Sequence, residues 1–227
     1  MLQARTNGQS VNAQSANAIR VTSAVFGAYA GLLGFEHGLF ESLQGNHPVP
    51  GMRILASNRE LPFPFGHEPA MTVIPNFLAT GIAAMLTGML IVLWSAAFLR
   101  KTRGAVFLIL LSGVLFLVGG GFGPVTLLVA ACIAAFRAGG RVTMALPRAP
   151  SRIGRLVANA WPWFLLASLA WVPLEFAAGQ IFHLKNDHRQ ILTNLNLLLS
   201  YPMLALFVLT LIAASARSRS DTNPRAS

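Results

Sequence analysis

Apolar residues in this chain run in long, nearly unbroken stretches, without the short alternation of a half-buried strand. The first stretch covers about residues 19–43. The second, about 72–99, has Trp94 near its end and is stopped by Arg100, Lys101 and Arg103. A third starts at Ala105 and reaches Val118. Gly119-Gly120-Gly121-Phe122-Gly123-Pro124 follows, then apolar residues to Phe136. Glycines and a proline this dense make a turn, so residues 105–136 read as a helical hairpin. Its two segments are each shorter than the roughly 20 residues that cross a bilayer. Two short crossings of a thinned bilayer is the preferred reading; a re-entrant loop is the alternative.

A fifth stretch, about 159–182, opens with Trp161-Pro162-Trp163, an aromatic pair suited to a membrane interface. The sixth covers about 190–215. The expected fold is therefore all-α, a polytopic transmembrane helix bundle of about six spans. Residues 1–18 are expected to form a disordered tail and 19–139 a four-segment membrane region with a loop at 44–70. Residues 140–157 read as a basic linker, 158–215 as a helical hairpin and 216–227 as a second tail. No apolar core of a secretory signal precedes the first span, so no cleavage is expected.

Composition agrees. Of 227 residues, 54% are hydrophobic and 11% charged, against about 25% charged in a soluble domain. The formal charge of +10 does not point to nucleic acid, because the basic residues sit in short segments between apolar runs. Of the 17 lysines and arginines, all but Arg53, Arg59, Lys185 and Arg189 fall on the side shared by the two termini. The positive-inside rule then places both termini in the cytoplasm. The arginines of the linker suit contact with anionic lipid headgroups. Acidic residues show the opposite bias: Glu36, Glu41, Glu60, Glu68, Glu175 and Asp187 fall outside, and only Asp221 inside. The five histidines (His37, His47, His67, His183 and His188) also lie on or near the outer side. Cys132 is alone, so it reads as a small buried apolar side chain.

Gly27, Gly31, Gly34 and Gly38 recur at spacings of four, three and four, and share one face of a helix. Such a face admits close backbone approach, by a neighbouring helix or by a second chain in a homo- or hetero-oligomer. His37 and Glu41, four apart, are adjacent on one face; Glu36 points nearly the opposite way. Glu175 lies about seven residues inside the fifth span, at a depth Glu36 shares. The hairpin pattern sets Glu175 opposite Asn196 or Leu197. Pro173 and Pro202 invite kinks. Asn76, after Pro75, is placed to hydrogen-bond at the rim of the second span.

The segments GFEHGLFESLQGN (34–46), IPNFLATG (74–81) and GGGFGP (119–124) resemble small bacterial multi-pass membrane proteins of an uncharacterised family. The resemblance covers about the first 125 residues. It implies a bacterial inner-membrane protein and carries no catalytic assignment.

Three function classes fit. The first is a small transporter of the permease type. In it Glu36, His37, Glu41 and Glu175 form an outward-facing proton or cation site, with Asn196 orienting Glu175. The second is a non-catalytic structural or accessory subunit that docks through the glycine face. The third is a membrane-embedded metalloenzyme, for which His37, Glu41, His67 and His183 are the candidate ligands. No phosphate-binding loop, dinucleotide fingerprint or nucleophile elbow is present, and no cofactor is expected.

Overall fold

The structure, a computed structural model, describes residues 2–55, 69–99, 102–138, 151–185 and 189–222. Within these, the described side chains exclude residues 2–17, 102, 151, 172, 175–176, 178–185, 189–200 and 219–222. The order is α1 (Leu2–Leu43), β1 (Arg53–Leu55), β2 (Pro69–Met71), α2 (Phe77–Ala97), α3 (Thr102–Leu117), α4 (Phe122–Ala138), α5 (Ser151–Lys185) and α6 (Arg189–Thr222).

Among the described residues, three segments are long and apolar enough to cross a membrane: Ala18–Leu43, Phe77–Ala97 and Tyr201–Ser218. Arg103–Leu117 and Phe122–Ala138 are apolar but shorter. Helices α3 and α4 have 16 and 17 residues, or about 25 Å each at about 1.5 Å per residue. The glycine-rich stretch between them is a turn, as its composition demands. Several boundaries differ from the sequence reading, and α6 runs on to Thr222, through part of the tail expected at 216–227. Helix α1 begins at Leu2, so the polar leader extends the first helix. Helix α5 begins at Ser151, so the last part of the basic linker, 151–157, is its first two turns.

Helix α1 is central. It packs most extensively on α2, then on α4 and α6, while α5 packs mainly on α6. Phe26, Ile91, Leu108, Leu115, Leu127 and Leu128 are fully buried at these contacts. Large apolar side chains also face outward, including Leu86, Leu93, Leu110, Leu166 and Leu204. Apolar residues inside and out suit a protein solvated by lipid.

Glycine sets the α1–α2 contact. A Cβ on Gly31 would lie 2.6 Å from the Gly88 carbonyl oxygen, and one on Gly88 2.5 Å from that of Gly31. Gly38 and Gly81 repeat this reciprocal contact two turns away, with 2.5 Å in both directions. The two helices are antiparallel, and each brings glycines seven residues apart. The other half of the glycine face meets side chains: Gly27 receives Ser95 of α2, and Gly34 receives Leu115 of α3. The face is thus filled from within the same chain.

Side-chain bonds fix the remaining heights. Ser23 donates to the Ala131 carbonyl of α4 at 2.7 Å. Trp161 of α5 donates to Thr22 at 2.9 Å, and the Tyr29 hydroxyl donates to the Leu169 carbonyl at 3.0 Å. Helices α1 and α5 therefore run parallel. Ser168 and Thr210 pair α5 with α6 at 2.9 Å. The end of the bundle that carries β1, β2 and the α3–α4 turn is called the loop end below, and the opposite one the tail end.

Candidate functional site

The loop end is built on α1. Its last two turns carry Glu36, His37 and Glu41, and the chain leaves the helix through Gly45, whose positive φ of 86° needs glycine. The returning chain forms β2, which pairs antiparallel with β1 so that Ile54 faces Ala70. Both are buried. Asn76 then caps α2, its side-chain oxygen accepting from the Ala79 amide at 3.1 Å. Its amide group donates to Asn46 at 2.7 Å. The rim bond expected of Asn76 is thus made to its own helix and to the α1 exit.

The α3–α4 turn is held against this strap. The Gly119 amide donates to the Met71 carbonyl at 2.9 Å, and the Val73 amide to that of Leu117 at 2.9 Å. A hydroxyl chain completes the clamp: Thr72 bonds Thr80 at 2.6 Å, and Thr80 donates to the Val118 carbonyl at 2.8 Å. Both threonines are fully buried, and their polar groups are matched.

Beneath the clamp lies the feature that breaks this pattern. Glu41 is fully buried, at 0% exposure. Neither carboxyl oxygen has a hydrogen-bond partner among the described residues. Gly119 covers it: a Cβ there would lie 2.5 Å from Glu41 Oε1 and closer still to Oε2. Two residues on, a Cβ at Gly121 would lie 2.5 Å from His37 Nε2. Gly119 and Gly121 have φ of 95° and 77°, a conformation that side chains resist. The turn is therefore a lid of bare backbone, one glycine over the carboxyl and one over the imidazole. Its amides do not serve the carboxylate; those of Gly119 and Gly120 go to the carbonyls of Met71 and Leu115. A buried acceptor left without a donor costs about 1–3 kcal/mol. Such a group inside an apolar helix is rare without a functional cause.

Of the residues singled out from the sequence, His37 and Glu41 are brought together under this lid. Glu36 is half-buried on another face of α1, two turns beyond Tyr29 and so on the side that meets α5. Six residues past Leu169, the backbone of position 175 stands near the height of Glu36. The side chains of Glu175, Asn196 and His183 lie outside the described residues, as does His67. The Ser168–Thr210 bond joins the two helices on the side of positions 175 and 196 away from the α5–α6 loop. Among the described residues, no three His, Cys, Asp or Glu side chains gather in a group able to hold a metal ion.

Sequence reasoning found Glu41 and His37 but missed what covers them. The run of three glycines carried the signal. One glycine suffices for a tight turn; three in a row point to a backbone that has something beneath it. The glycines of α2 were a second missed signal, since Gly81 and Gly88 repeat the seven-residue interval of Gly31 and Gly38.

Comparison with protein-family models, with curated proteins and with solved structures finds no match.

Proposed function

We propose that this chain is a small carrier of the permease type in a bacterial inner membrane, and that Glu41 is its proton- or cation-binding group. The observation that carries the reading is the enclosed Glu41 carboxyl, without a hydrogen-bond partner among the described residues, under a lid made only of backbone. In lipid an ionisable group so placed marks an ion or proton path more often than a structural contact. His37, one turn before it and under the next glycine but one, is the group that relays the proton to the rim. Opening needs the Gly119–Gly121 turn to lift from α1, which breaks the bonds of Gly119 to Met71 and of Val118 to Thr80. Glu36 and Glu175, at similar heights on α1 and α5, form the next step of the path.

In this reading α3 and α4 cross as short spans, which makes six crossings. The arginine distribution then sets both termini in the cytoplasm and the loop end outside.

The test is proton or cation flux into proteoliposomes holding the purified chain. Glu41→Gln keeps the shape and removes the titrating group, so flux is expected to fall to that of empty vesicles. Wild-type flux from a correctly folded Glu41→Gln protein would remove Glu41 from the path. Glu175→Gln, tested alongside, is expected to slow flux less.

A further inference from the structure

The tail end holds arginines on two helices. On α5, Arg152, Arg155 and Asn159 are seven and four residues apart and share one face. All three are exposed. From α6, Arg217 reaches across and donates to the Asn159 side-chain oxygen at 3.3 Å. That bond brings a third guanidinium to Asn159, one helical turn from Arg155 and two from Arg152. Asp221, one turn beyond Arg217, has its side chain outside the described residues. Among the described side chains of α5 the face carries no acidic group.

The same face changes character along the helix. Leu156 lies among the arginines at 69% exposure, and Trp163 follows at 72%. Leu166 and Leu174 continue the line at 57% and 63% exposure. From Asn159 to Leu174 the stripe runs about 22 Å at about 1.5 Å per residue. One exposed face thus has cations at one end, an amide and an indole at the junction, and an apolar track beyond. That is the complement of an amphiphile with an anionic head. A soluble anion would leave the track unused, and a nucleic acid would meet an apolar surface one turn past its phosphates.

We propose that this face is a binding site for an anionic phospholipid. Its phosphate lies between Arg152, Arg155 and Arg217, its glycerol region lies on Trp163, and one acyl chain follows Leu166 towards Leu174. Asn159 is the positioning residue, since it holds Arg217 to α5. Arginine suits the role because its planar fork meets two phosphate oxygens at once. The site stands apart from Glu41, at the other end of the bundle, and does not depend on how that group works.

Native mass spectrometry of the detergent-purified full chain, exchanged into equal phosphatidylglycerol and phosphatidylcholine, tests it. Retention of phosphatidylglycerol in clear excess over phosphatidylcholine is expected. Each of Arg152→Gln and Arg155→Gln should weaken retention by about five-fold, from about 1 kcal/mol per basic residue near a headgroup. The triple variant with Arg217→Gln should lose the preference. Both single variants change exposed side chains, so helical content and gel-filtration profile should stay those of wild type. Asn159→Ala should weaken retention while leaving every arginine in place. Equal retention of the two lipids, or an unchanged preference in the triple variant, would overturn the site. So would displacement of the lipid by millimolar inorganic phosphate, which would make it a soluble-anion site.

Discussion

Two helix pairs in this molecule are joined in opposite ways. Helices α1 and α2 meet backbone to backbone. Gly31 and Gly38 lie on Gly88 and Gly81, with no side chain between them. Helices α5 and α6 meet through hydroxyls. There Ser168 and Thr210 bond each other at 2.9 Å, and each is also placed to donate to its own helix, to Phe164 at 2.8 Å and Leu206 at 2.7 Å. A hydroxyl has one proton. When the pair separates, the one proton that bridged it falls back on a carbonyl already in reach, so little is lost. The glycine seam has no such fallback, since lipid tails cannot pack against the two bare backbones as closely as the backbones pack on each other. The first pair is therefore the fixed frame, and the second is the seam that yields.

Substitutions put this contrast to the test. Gly31→Leu should have the largest effect. A Cβ there already overlaps the Gly88 carbonyl, and backbone cannot step aside, so the cost should exceed about 3 kcal/mol, the usual limit for overpacking. The expected readout is loss of the monodisperse species in detergent. A folded Gly31→Leu protein would mean that the seam is loose. Gly119→Ala comes next. It combines about 1–2 kcal/mol of left-handed strain with overlap of the Glu41 carboxyl. Adding Glu41→Ala should restore part of the loss, with a coupling of about 0.5–3 kcal/mol in a double-mutant cycle. Additive effects would show that the turn does not rest on Glu41. Thr80→Val breaks the hydroxyl chain to Val118 and should cost about 1 kcal/mol, seen as faster proteolysis at the loop end. Ser168→Ala should be smallest, about 0.6 kcal/mol in mixed-micelle unfolding, the average for hydrogen bonds between membrane helices. A cost near that of Gly31→Leu would erase the distinction between the seams.

Much of the frame is legible in the sequence because its causes are local. Helix order follows from apolar run length, the α3–α4 turn from its glycines, and the packing face of α1 from the interval between Gly27 and Gly38. The pairing of His37 with Glu41 follows from helical spacing alone. The partners of those residues are far away in the chain and are not legible in the same way. Nothing near Glu41 indicates that Gly119 covers it, and nothing near Gly31 names Gly88. Periodicity says which side of a helix is buried, and only the fold says against what. The seam between α5 and α6 shows the same limit, since nothing near Ser168 names Thr210.

Leu115 fits over Gly34 on α1, and one heptad later the sizes reverse, with Glu41 on α1 fitting under Gly119 of the turn. Volume is thus exchanged across the boundary between the helix and the turn. This makes 41 and 119 a pair that evolution must change together. A related chain with any side chain at 119 should carry glycine or alanine at 41, and so should lack the carboxyl. Relatives that keep both Glu41 and Gly119 would be those that keep whatever the carboxyl does. Relatives that trade them would retain the fold and lose the activity, so the identity of residue 119 becomes a marker for function written in a residue that has no functional group.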